Sequence, residues 1–206
     1  MKRILCFGDS NTYGHNPVDG SRLDMRWTRY VSDMLGNGFE IIEEGLCGRT
    51  TIFPTNGVVD GWEGSTLLKP VISTHKPYDL LIIMLGTNDL LLSTNADTTD
   101  SARGLETLIN IAQSTYNSKI LVISPILISD AVKNHEYFRQ VYGMTRGQKL
   151  SKGFKKAYEP IAKKYGCAFL NAADYAKASD LDGVHMDSEN HKKLADAIYK
   201  KVKEIL

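Results

Sequence analysis

The chain has 206 residues, 42% of them hydrophobic, enough apolar material for a proper core and the right length for a single domain spanning 1–206. Its 25 Lys and Arg offset 24 Asp and Glu to a formal net charge of +1, which argues against the basic footprint of a nucleic-acid binder. Cys6, Cys47 and Cys167 lack CxxC spacing, so neither a disulfide framework nor a zinc site is expected, and with no apolar leader or membrane-length run the expected protein is cytoplasmic, with no membrane partner.

The first element, Ile4 to Phe7, is a short apolar run that reads as a buried strand. It stops at Gly8, and Asp9-Ser10-Asn11-Thr12 follows at once. In a parallel sheet, ligands bind beyond the carboxyl ends of the strands. A serine one step past such an end, on a tight turn, can hold its hydroxyl out into a crevice. Gly, Asp, Ser and Asn are also ordinary turn residues, so this string alone does not decide the matter.

Beyond a polar loop, His15 to Asp24, the residues Trp27, Tyr30, Val31, Met34 and Leu35 recur at helical spacing, with Gly36 and Gly38 ending the helix. Phe39 to Glu43 reads as the second strand, and Gly45 to Thr51 is a second polar, Gly-bearing stretch at a strand end. A long loop runs through Asn56, Gly57, Gly61 and Trp62, and then Leu67, Leu68, Val71 and Ile72 mark a helix closing before Pro77. Asp79 to Leu85 is continuously apolar after its first residue, as a central parallel strand buried on both faces should be, and runs into Gly86-Thr87-Asn88-Asp89. Ala102, Leu105, Leu108, Ile109 and Ala112 give another helical face, followed by a strand from Lys119 to Ser124 that Pro125 stops. The segment from Ile126 to Gly147 is less regular and carries Tyr137, Phe138, Tyr142 and Met144. A helix through Leu150, Phe154, Ala157, Ile161 and Tyr165, bent near Pro160, precedes a fifth strand from Cys167 to Asn171. A loop from Ala172 to Asp187 leads to a last helix with Leu194, Ile198, Val202 and Ile205 on one face. Strands and helices thus alternate about five times, the pattern of one parallel sheet covered by helices on both faces.

The first three strands each end in an unusually polar stretch, and in a parallel sheet those ends share one edge. A fourth polar stretch, Asp182-Gly183-Val184-His185, precedes the last helix. A serine hydroxyl is a weak nucleophile unless a base takes its proton, and that base needs an orienting group. Ser10, His185 and Asp182 supply the three roles. An anionic tetrahedral intermediate also needs fixed donors, which the backbone N–H of Ser10, the backbone N–H of Gly48 and the side-chain amide of Asn88 can provide. Taken singly, Gly48 and Asn88 read as turn or cap residues and Asp182–His185 as a loop pair. The functional reading rests on all of them falling at consistent strand or loop ends. Trp27, Ile126 and Trp62 are candidate pocket residues, each of which reads more readily as core or interface.

The ordered set Gly8-Asp9-Ser10-Asn11-Thr12, Gly48, Gly86-Thr87-Asn88-Asp89 and Asp182-Gly183-Val184-His185 resembles the SGNH (GDSL) hydrolases, whose four naming residues match here as Ser10, Gly48, Asn88 and His185. The stretches Arg26-Trp27-Thr28, Glu43 to Leu46, Arg49-Thr50-Thr51 and Ile82 to Asp89 are similar to the bacterial arylesterase and acyltransferase (perhydrolase-like) branch. The resemblance implies a flavodoxin-like three-layer α/β/α sandwich with a five-stranded parallel sheet, short acyl esters (aryl, alkyl or acetylated-carbohydrate) as substrates and no cofactor; the scattered histidines and the lack of HExxH separately argue against a catalytic metal. It also implies a homo-oligomer in which neighbouring loops narrow the entrance, with Ile126 to Gly147 as the suspected contact.

Rival readings fare worse. An aspartyl-phosphate phosphatase needs DxDxT, but Asn11 and Tyr13 stand where the second aspartate and the threonine should be. GxGxxG, the phosphate-binding lysine loop, GxSxG and HExxH are all absent. A non-catalytic module for acetylated sugars on the same fold has no need of Asp182–His185. A thioesterase or lysophospholipase of the same family stays open.

Overall fold

The computed structural model describes the whole chain except residues 56 and 58–60, so Asn56 of the predicted loop lies outside the described residues. Five parallel strands, β1 (Lys2–Gly8), β2 (Phe39–Gly45), β3 (Leu80–Met84), β4 (Lys119–Ser124) and β5 (Ala168–Asn171), form one sheet in the order β2-β1-β3-β4-β5. The chain steps outward from β1 to β2 and then returns to build β3, β4 and β5 on the other side. The strand order therefore reverses between β1 and β3, and at such a switch point a crevice opens beyond the carboxyl ends of the strands.

Period-two side-chain alternation sorts each strand between two apolar layers. Leu5, Phe7, Leu81, Ile83 and Val122 face a layer built with α3 (Gly64–His75), α4 (Thr98–Thr115) and α7 (Phe154–Lys164). Ile4, Cys6, Leu80, Ile82 and Leu121 face the other, built with α2 (Trp27–Leu35) and α8 (Ser188–Ile205). β3 is buried along its whole length, as its unbroken apolar run requires, whereas β2, at the sheet edge, is half-buried throughout. The result is the three-layer α/β/α arrangement expected.

Trp27 and Ile126, candidate pocket residues in the sequence, belong instead to the second core layer. The predicted helix through Leu150 to Tyr165 is two helices, α6 (Arg146–Ser151) and α7, interrupted at Lys152 and Gly153, with Pro160 inside α7. A Cβ on Gly153 would lie 2.5 Å from Thr98 Oγ1, so the close approach of α4's first turn leaves no room for a side chain there. The irregular segment from Ile126 holds a 3₁₀ turn (Asp130–Asn134) and α5 (Glu136–Tyr142). At the other end of the sequence, Arg26 Nε donates to Glu43 Oε1 at 2.7 Å while its Nη2 and Thr28 Oγ1 also hold the Glu43 carboxylate, pinning α2's first turn to β2.

His191, fully buried in α8, accepts a hydrogen bond at Nδ1 from the Trp27 N–H at 3.3 Å. Its Nε2 has no partner among the described residues, and burial pushes its pKa down to about 3. The unfolded chain takes up a proton here as pH falls through the ordinary histidine value, whereas the folded chain does not until about pH 3. This contribution to stability is therefore complete above that ordinary value and is lost as pH falls below it. Asp9 and Asp89, raised to about 6 by burial, act with the opposite sign over part of the same range. Comparison with His191→Gln isolates the histidine: the wild type should lose about 2 kcal/mol more than the variant between pH 7 and pH 5 in urea unfolding. Parallel losses would show that His191 titrates equally in both states.

Candidate active site

Ser10 opens the first turn beyond β1, at the switch point. Asp9 caps this four-residue helix, α1 (Ser10–Tyr13), by accepting from the Asn11 N–H at 2.9 Å. The Asp9 cap thus fixes the backbone that carries the Ser10 hydroxyl.

Asp182 and His185 lie on one tight turn before α8. Gly183 between them has φ +76°, and a Cβ there would lie 2.3 Å from the Val132 N, so both conformation and space demand glycine. Asp182 Oδ1 accepts from the N–H groups of Val184 (2.8 Å) and His185 (2.9 Å), while Oδ2 contacts His185 Nδ1 at 2.6 Å. Burial alone would raise the Asp182 carboxyl, but these hydrogen bonds outweigh it and hold the group below its ordinary value. His185 Nε2 stands 2.9 Å from Ser10 Oγ. The predicted serine, histidine and aspartate are thus one hydrogen-bonded chain, all three buried.

Asn11 joins the two halves of this chain. Its Nδ2 donates to the Val184 carbonyl at 3.2 Å, and its Oδ1 accepts from the Met186 N–H at 3.0 Å, bracketing His185. The imidazole is also flanked by rings, with His15 tilted against it at 4.1 Å between centroids and Phe138 edge-on at 5.3 Å.

Gly48 and Asn88 line the same cavity as Ser10 and His185, about 240 Å³ in volume. Gly48 has φ +83°, a left-handed conformation that favours glycine, and it puts no side chain between its backbone and the cavity. Among the described residues, neither the Ser10 nor the Gly48 N–H has a backbone acceptor. Asn88 Nδ2 donates to the Arg49 carbonyl at 3.1 Å, and its Oδ1 accepts from Tyr142 Oη at 3.1 Å. The remaining wall is mainly apolar, from Leu91, Phe138 and Val141, with Trp62 at its edge, so of the three candidate pocket residues only Trp62 is found here. Ile126 to Gly147, suspected of contacts between subunits, supplies α5 as a wall of this cavity within the chain.

The loops are cross-tied by residues to which the sequence reading assigned no role. Arg49 donates from Nη1 to the Gly8 carbonyl at 2.9 Å and to the Glu44 carbonyl, with its guanidinium 4.0 Å from the Phe7 ring centroid. Asp89 accepts from the Thr51 N–H and Thr51 Oγ1, both at 2.7 Å. Asp9 directly follows the apolar strand β1, a signal that could have singled it out, whereas Arg49 and Asp89 lie further along the loops after β2 and β3. Among the described residues no group of three or more His, Cys, Asp or Glu could hold a metal ion, and no helix is long and apolar enough to cross a membrane. A larger depression, about 750 Å³, lies at the opposite edge of the sheet around Asp79, Lys119 and Ala168 and contains no histidine.

Chemically, an oriented imidazole 2.9 Å from a serine hydroxyl, with neutral donors around an apolar cup, suits attack on a carbonyl carbon. Comparison with known proteins agrees. An aryl esterase from M. smegmatis is similar in structure, with a TM-score of 0.92 at 33% identity over 100% of both chains. A carbohydrate acetylesterase from Sinorhizobium meliloti has a TM-score of 0.92 at 32% identity, again over 100% of both. No curated protein matches by sequence. Residues 6–193 match the model of the GDSL-like Lipase/Acylhydrolase family, so the chain belongs to this SGNH hydrolase family and is a carboxylic ester hydrolase.

Proposed function

We propose that the protein is a serine esterase that cleaves short-chain acyl esters of aryl, alkyl or carbohydrate alcohols through an acyl-serine intermediate. The observation that carries this reading is the Asp182–His185–Ser10 chain, with contacts of 2.6 and 2.9 Å, opening into a cavity that also holds Gly48 and Asn88. Ser10 Oγ attacks the ester carbonyl while His185 Nε2 takes its proton. The N–H groups of Ser10 and Gly48 and the Asn88 amide bind the resulting oxyanion. As the tetrahedral species collapses, the proton passes from His185 to the departing alkoxide and the acyl group stays on Ser10. Water then repeats the sequence, losing its proton to His185, which returns it to Ser10 as the carboxylic acid leaves. A second alcohol in place of water would give acyl transfer.

The volume of about 240 Å³ and the walls of Leu91, Phe138 and Val141 favour a short apolar acyl or aryl group. The activities named for the M. smegmatis and S. meliloti structures point the same way. Hydrolysis of p-nitrophenyl acetate, butyrate and octanoate tests the assignment. We expect kcat/KM to fall about tenfold or more from butyrate to octanoate, since a group too large for the cavity must leave apolar carbon in water. Acid-quenched enzyme should carry one acyl group on Ser10. Octanoate turned over as fast as acetate would sink the proposed acyl site. No turnover on any of the three would bring forward the sugar-binding module.

A further inference from the structure

We infer that Tyr142 is a positioning residue for catalysis: its buried hydroxyl, donated to Asn88 Oδ1, sets the orientation and donor strength of the amide that meets the oxyanion. The inference rests on the oxyanion role proposed for Asn88.

The Asn88 side chain is held at both ends. Nδ2 gives one hydrogen to the Arg49 carbonyl at 3.1 Å, and Oδ1 receives the Tyr142 hydroxyl at 3.1 Å. Exchanging the two ends would bring Oδ1 against the Arg49 carbonyl, acceptor to acceptor. In the observed orientation, Nδ2 keeps a second hydrogen, and Asn88 lines the cavity that Ser10 shares. A hydrogen bond accepted at an amide oxygen draws charge from its nitrogen and makes the remaining N–H a stronger donor. Tyr142 is buried, and burial holds its phenol well above the usual value, so it remains protonated as a donor.

The surrounding fold keeps this hydroxyl on target. Tyr142 is the last residue of α5, and Gly143, at φ +76°, turns the chain directly after it. The Val141 carbonyl accepts from the Leu92 N–H at 2.8 Å, just beyond the 3₁₀ turn Thr87–Leu90 that carries Asn88. Arg146 donates to the carbonyls of Leu90 and Ala96, both at 2.6 Å, from the start of α6. A Cβ added at Gly147 would lie 3.1 Å from the Tyr142 Cβ, so α6 packs closely against the end of α5. The end of α5 is thus locked to the loop whose amide its final tyrosine holds.

Tyr142→Phe keeps the ring and removes the donor. We expect kcat for p-nitrophenyl acetate to fall about five- to tenfold with KM unchanged, the scale of one hydrogen bond felt in the transition state. In an Asn88→Ala background, itself about a hundredfold slower, the same change should cost less than about twofold, because the amide it acts through is gone. Equal losses in both backgrounds, or a rise in KM with kcat intact, would overturn the inference and leave the esterase reading standing. If Asn88→Ala itself lost less than about threefold, the oxyanion assignment would fall and this inference with it. Should the Phe variant not fold, 3,5-difluorotyrosine at position 142 keeps the ring and sharpens the donor: a higher kcat supports the inference, and an unchanged or lower one overturns it.

Discussion

Replacing Ser10 by alanine is expected to lower kcat for p-nitrophenyl acetate on the order of 10⁵-fold while leaving the fold intact. The change removes one oxygen from a four-residue turn whose cap, Asp9 to the Asn11 N–H, does not involve the serine side chain. The Asn11 bridges to Val184 and Met186 also survive, so His185 keeps its place. What is lost is the acyl acceptor, and with it the covalent route. The residual rate would come from binding and the oxyanion donors alone. Steady-state hydrolysis by the purified variant, with thermal unfolding as the control for structure, measures this. A loss under tenfold in a folded variant would remove Ser10 as nucleophile.

Asp182→Asn should cost about 10⁴-fold in kcat, with little change in KM. The reason lies in the division of labour between its two oxygens. Oδ1 already accepts from the N–H groups of Val184 and His185, so the oxygen of an introduced asparagine amide must occupy that position. Its NH₂ then faces His185 Nδ1, where the carboxylate now stands at 2.6 Å. A donor facing Nδ1 moves the imidazole proton to Nε2, the nitrogen 2.9 Å from Ser10 Oγ that must be free to take a proton. The variant keeps shape and hydrogen-bond count and loses the tautomer. A kcat within tenfold of wild type would mean that Asp182 is structural only.

Much of this arrangement is legible in the sequence because it sits at changes of character. The apolar run Leu80–Met84 cannot be anything but buried, and the polar residues directly after it stand out. Ser10 after β1 and Asp182–His185 before α8 are visible for the same reason. What the sequence hides is short or tertiary. α5 and α6, of 7 and 6 residues, hold too few turns for a helical period to emerge. The contact that leaves no room for a side chain at Gly153 comes from Thr98, and the sequence of the helix itself carries no trace of it. Tyr142 looks like any core aromatic, because its function lies in which acceptor its hydroxyl meets. Asn11 is masked by its neighbours: in a turn-forming string it reads as a turn residue, yet its amide reaches 173 and 175 positions along the chain.

That reach separates the proposed nucleophile from its proposed base by 175 residues. During synthesis, Ser10 leaves the ribosome with the first strand, while His185 follows only after all five strands have been made. A growing chain therefore carries an unactivated hydroxyl, no more reactive toward esters than any other serine. The proposed hydrolysis therefore requires the turn before α8 to dock on the turn after β1, where Asn11 closes the joint.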